Sequence, residues 1–264
     1  MTNVSRQSNQ SIERFLKAEV TYRLRRMRDN VPTRKTWPEG CYGSALSWLL
    51  FVGPSPGGKP IGNHGIQRRK RTGGQCYWDT AFDLPYSRHP DAWGGKYREN
   101  MPVLIETIIG LSLEQGSAKL FGFANFDWIP SPKEGLVSSI RLKQGQVDVL
   151  KVLKLARPRI IAPTTAAAHA RLLLCLRKAG YTFLIPSEQS VRIRIDPRGD
   201  SFHTQMDALK LKGRGMLAGT VVIRLPQHPA RMLYRQHGHR CALAMRKALI
   251  QVYAEQSRLV IDES

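Results

Sequence analysis

Apolar residues in this chain follow two periods. Ala45-Leu46-Ser47-Trp48-Leu49-Leu50-Phe51-Val52 is almost continuously apolar and stops at Gly53-Pro54, the pattern of a central strand buried on both faces. Three further runs have the same character: residues 119–124, ending at Asn125; 159–162, ending at Pro163; and 220–225, ending at Pro226. Helical spacing predicts helices over about 100–114, 143–155, an Ala-rich 164–179, and 230–257. Strands alternating with helices predict a three-layer α/β/α fold with a central, mostly parallel four-stranded sheet. Ligands of such sheets sit beyond the carboxyl ends of the strands, so the segments following each run are where chemistry is expected.

Two other segments carry a pattern. Residues 9–29 place Ile12, Phe15, Leu16, Val20 and Leu24 at helical spacing with arginines on the other faces, which predicts a basic amphipathic helix. Residues 181–218 break the strand–helix rhythm and are expected to form an insertion with a pair of short strands, Arg192 and Arg194 lying on one face. No linker divides residues 1–264, so one domain is expected.

Composition adds a partner. Lys+Arg 41 against Asp+Glu 20 leaves a formal net charge of +21, although only 23% of residues are charged. The imbalance is a shortage of acids in a globular sequence, which predicts a folded body that meets a polyanion. No apolar stretch is long enough to span a bilayer and the first residues lack a secretory h-region, so a cytoplasmic protein with no membrane partner is expected. Cys41, Cys76, Cys175 and Cys241 are far apart and contain no C-x-x-C pair, so neither a metal ribbon nor a redox dithiol is expected. His237, His239 and Cys241 are two residues apart on an expected helix and cannot converge on one ion.

The segment after the first strand, Gly53-Pro54-Ser55-Pro56-Gly57-Gly58-Lys59-Pro60, has the spacing of a phosphate-cradling loop. Its chemistry is wrong for one. Pro60 stands where a hydroxyl would hold magnesium, and Pro54 and Pro56 remove two backbone donors. A stiff turn of this kind is better suited to presenting a group to a pocket.

VGPSPGG after an apolar strand resembles the first motif of the uracil-DNA glycosylase superfamily. Asn125 in ANFDWIPSP is similar to that family's strand-end Asn, residues 158–161 and the Ala-rich helix resemble its third strand and helix, and His228-Pro229 in LPQHPARML resembles its second catalytic motif. The likeness spans roughly residues 44–257, with the motifs in the family's order. It implies a monofunctional glycosylase that flips a base from double- or single-stranded DNA and hydrolyses its N-glycosidic bond, as a monomer without cofactor or metal.

In that resemblance His228 donates to the departing base and Asn125 reads a base edge through its amide. Tyr77 or Trp78 stacks on the flipped base, and Gly53, Pro54 and Gly57 shape the pocket. The family's water-activating carboxylate has no counterpart: Ser55 occupies its place with a hydroxyl that can only position water, and Asp127, two residues beyond Asn125, reads either as a catalytic carboxylate or as a turn or Arg-pairing residue. Gly57 leaves room for a substituted base, so a modified pyrimidine such as the glucosylated hydroxymethylcytosine of phage DNA is one expectation and uracil repair another. Arg68, Arg69, Lys70 and Arg71, with Arg231 after the second motif, are expected to grip phosphates. That placement predicts positive charge on the pocket side and a nearly neutral opposite side. Two rival readings use the same charge: a catalytically silent DNA- or RNA-binding module, and an RNA-processing protein.

Overall fold

The apolar runs form strands where their side chains are covered from both sides. The computed structural model describes residues 41–43, 48–54, 96–109, 121–127, 139–184, 192–194, 203–205, 208–225 and 228–229. In chain order the elements are β1 (Cys41–Gly43), β2 (Leu49–Gly53), α1 (Lys96–Ile109), β3 (Phe121–Asn125), α2 (Ser139–Ala156), β4 (Ile160–Pro163), α3 (Ala166–Lys178), β5 (Thr182–Leu184), β6 (Arg192–Arg194), β7 (His203–Gln205), β8 (Ala208–Lys212) and β9 (Val221–Ile223). Every residue of β2, β3, β4 and β9 is buried, which is why these strands are continuously apolar rather than alternating. The expected helices over 9–29 and 230–257 lie outside the described residues.

The sheet is mixed, with seven strands in the order β1-β3-β2-β4-β9-β8-β5. β2 pairs in parallel with β3 and with β4, and β4 pairs in parallel with β9. β1, β8 and β5 are antiparallel to their neighbours. The expected sheet of four strands is therefore too small. The strands missed from this sheet, β1 and β8, are short, and β8 reads Ala-Leu-Lys-Leu-Lys, so neither forms an apolar run; β5 and β6 fall on the expected pair of short strands but do not pair with each other. Much of the 181–218 segment belongs to the sheet itself, since β5 and β8 extend it beyond β9. Only β6 and β7 form a separate two-stranded ribbon, with Arg192 opposite Gln205 and Arg194 opposite His203.

On one face of the sheet, Leu50, Val52, Ala124, Ile161 and Val222 pack with Val149, Val152 and Leu153 of α2 and Ala168, Leu172 and Leu176 of α3. The other face carries Leu49, Phe51, Phe123, Ile160 and Val221, which are also buried. α1 buries Met101, Leu104 and Ile105 completely, and none of the three belongs to the α2–α3 core. Gly145 lets α2 approach the strand ends. A Cβ built there would run into the Phe126 carbonyl, so only a glycine allows this backbone-to-backbone contact. Thr165 caps α3 by accepting a hydrogen bond from Ala168 N at 3.0 Å. Among the described residues no helix is long and apolar enough to cross a membrane.

Candidate functional site

The carboxyl ends of β2, β3 and β4 are joined beyond the regular ladder. Gly53 is opposite Asn125 in the parallel register. Pairing then continues past the strands: Phe126 N donates to Gly53 O at 3.0 Å and Asp127 N to Pro54 O at 2.9 Å. On the other side of β2, Thr164 N donates to Val52 O at 2.9 Å, and the Thr164 hydroxyl donates to the same carbonyl at 3.4 Å. These segments are far apart in the sequence, and the parallel register brings them side by side.

Gly53 has a steric reason to be glycine. The space a Cβ would fill there is taken by Asn125 Oδ1, with Thr164 Oγ1 at 3.5 Å. The Asn125 amide thus lies across the end of β2 and cannot do so over any larger residue. One row below, Phe51 is opposite Phe123, and their rings stack at 4.9 Å between centroids with an interplanar angle of 23°. Residues two apart share a face, so Gly53 and Asn125 stand directly above this aromatic pair. Asn125, Asp127 and Thr164 are all buried. The result is a small polar row, an amide and a hydroxyl, on an apolar floor, with the Asp127 carboxylate at the next position on the Asn125 side of the strand. Buried polar groups in such a setting read donor and acceptor patterns strongly, because a mismatched ligand leaves them unsatisfied.

β4 runs through Pro163-Thr164-Thr165 straight into α3, which brings the amino end of that helix to the same edge. Its partial positive charge favours developing negative charge nearby. His228 follows β9 by five residues and is half-buried, and Pro229 is buried. The Pro229 carbonyl accepts a hydrogen bond from Asn100 Nδ2 on α1, which ties the segment after β9 to a helix distant in sequence.

Of the expected site residues, Gly53, Pro54, Asn125 and Asp127 are brought together by strand pairing, and His228 follows β9, two strand positions from β2. Ser55, Gly57, Arg68, Arg69, Lys70, Arg71, Tyr77, Trp78 and Arg231 lie outside the described residues. Sequence reasoning missed Thr164 and Asn100. The Pro-Thr-Thr step between a strand and an Ala-rich helix was a usable signal for Thr164; nothing local marks Asn100. No protein-family model matches this chain, and no curated protein matches it.

Proposed function

We propose that the protein is a monofunctional DNA glycosylase that takes a base out of the helix and hydrolyses its N-glycosidic bond. The observation that carries the reading is the pairing of Gly53-Pro54 with Asn125-Phe126-Asp127, with the Asn125 amide laid across Gly53 over the Phe51–Phe123 stack. In this reading β3, β2, β4 and β9 are the central parallel strands of a three-layer α/β/α domain of the uracil-DNA glycosylase type. The net charge of +21 supplies the attraction to DNA.

In the reaction, the C1′–N bond of the flipped nucleotide breaks with its electron pair leaving on the base, the oxygen of a water molecule bonds to C1′, and the proton that this water gives up ends on the base. The developing negative charge on the base is met by a hydrogen bond from His228. Asn125 holds the base edge by one donor and one acceptor. Ser55 and Asp127 are the groups assigned to position the water and to offset positive charge on the sugar. Tyr77 or Trp78 stacks on the base, and Arg68, Arg69, Lys70, Arg71 and Arg231 hold the flanking phosphates. A glucosylated or otherwise modified pyrimidine is the favoured substrate, given Gly57.

The test incubates the purified protein with single- and double-stranded DNA containing uracil or glucosylated hydroxymethylcytosine, then cleaves abasic sites with alkali. Strand breaks that fall by about 10²–10³ in His228→Ala are expected, the range for removing one electrostatic donor. Their absence on every substrate refutes the enzyme. Ser55 in place of a carboxylate favours one second reading, a silent DNA-binding module, which would bind these DNAs without cleaving them.

A further inference from the structure

Among the described residues, exposed cations gather on the side away from the candidate site. Arg157, Arg159, Arg177, Lys178, Lys212 and Arg214 are all exposed, and topology collects them at the amino ends of the parallel strands, opposite the candidate site. Arg157 and Arg159 lead directly into β4, and Arg159 O accepts from Val221 N at the start of β9 at 2.9 Å. α3 starts at the carboxyl edge and runs back, so Arg177 and Lys178 in its last turn reach the amino edge. Lys212 ends β8 opposite Thr182 at the start of β5, and Arg214 sits in the turn leading into β9. No acidic residue occurs anywhere in 149–184 or in 208–225.

This edge is built rather than loose. The turn between β8 and β9 is held by Gly219 N to Leu211 O at 2.8 Å, by Thr220 Oγ1 to Pro158 O at 2.9 Å, and by Leu217 N to the Tyr181 hydroxyl at 3.3 Å. Leu217 in this turn is fully buried, whereas Arg214 and Met216 are exposed. Arg157 Nη2 lies 3.6 Å from Met216 Sδ, and the Arg177 guanidinium stands 5.3 Å over the Phe183 ring. Two of the cations are therefore aimed by contacts within the protein, at little cost in order when they meet a ligand.

We propose that this edge is a second nucleic-acid surface, which holds the phosphate backbone of a DNA segment other than the one at the candidate site. From β4 through β9 and β8 to β5 is three strand spacings, about 14 Å. That width spans about four phosphates of one DNA strand at about 3.4 Å per phosphate along the axis. The two edges face opposite ways, so one straight duplex cannot lie on both. A membrane surface fits less well: binding to lipid pairs cations with several apolar side chains, and the exposed large apolar residues described near this edge are Met216 and, one turn before Lys178 on α3, Leu174.

The test uses the full chain and the variant Arg159→Gln/Lys178→Gln/Lys212→Gln/Arg214→Gln, which leaves the two cations with internal contacts in place. Binding of an unmodified duplex is followed by anisotropy across a salt series. The slope of log K against log salt should fall by about 3–4 in the variant, about 0.9 for each phosphate that is no longer neutralised. Lys212→Gln and Arg214→Gln alone should each lower it by about 1, which keeps the test sound if the fourfold variant misfolds. An unchanged slope in folded protein overturns the proposal, as does a loss confined to binding of phosphatidylserine vesicles. Base excision is not read in this assay, so failure of the glycosylase reading leaves its outcome intact.

Discussion

Replacing Gly145 by alanine tests whether the contact of α2 with the end of β3 fixes the candidate site. By helix propensity alone the change should stabilise, since alanine is favoured over glycine in a helix interior by about 1 kcal/mol. Packing opposes it. The new methyl would overlap the Phe126 carbonyl group and approach Phe126 Cα to 2.9 Å, so the obstacle is backbone on both sides and no rotamer can relieve it. Overpacking of a buried site costs about 1–3 kcal/mol, and a clash without side-chain relief belongs at the upper end. The net expectation is a loss of about 2 kcal/mol, or a fall in melting temperature of about 4–8 °C for a chain of this size.

Function should fall further than stability. Phe126 lies between Asn125 and Asp127, and its amide donates to Gly53 O. A shift that frees the Phe126 carbonyl also moves the residues on either side. Thermal melting, together with DNA binding and base excision well below the melting point, separates the two effects. A Gly145→Ala protein that melts as high as the parent, with unchanged activity, would refute the close approach of α2 and the placement of Asn125 built on it.

Three other outcomes are expected. Gly53→Ala should displace the Asn125 amide and abolish discrimination between bases while lowering the melting temperature by only a few degrees; unaltered base preference in an excision assay would contradict the arrangement. Thr165→Ala removes the cap of α3 and should cost about 1 kcal/mol, read as a shift in the urea midpoint with unchanged slope. Burial raises the Cys175 thiol from 9.0 to about 11, against the smaller opposing effect of Lys178 and Lys154. Its folded form holds the proton more tightly than the unfolded chain, so this contribution to stability is complete below pH 9.0 and disappears as pH rises toward about 11. Mass-spectrometric mapping of alkylation should show Cys175 modified slowly at about pH 8, and rapid labelling there would contradict its burial.

What could be read from the sequence depended on where burial leaves a mark. β2, β3, β4 and β9 were visible because both faces are covered, and their runs end at residues that stop a strand, which located Gly53 and Asn125 at strand ends. Asn100 carried no such mark, since its partner is 129 residues away, and Gly145 reads locally as a weakness in a helix. Charge is unevenly legible for a related reason. The adjacent cations at 68–71 are conspicuous in the sequence, whereas Arg157, Arg177, Lys212 and Arg214 are scattered and gather only when β8 turns back antiparallel to β9 and α3 returns to the amino edge. A net charge of +21 therefore predicts that a polyanion is met, but the sheet order decides at how many places. If the amino edge binds DNA, the shortage of acids across 149–184 and 208–225 has its own physical cause: one exposed carboxylate there would repel the phosphates and pair with the cations meant to hold them.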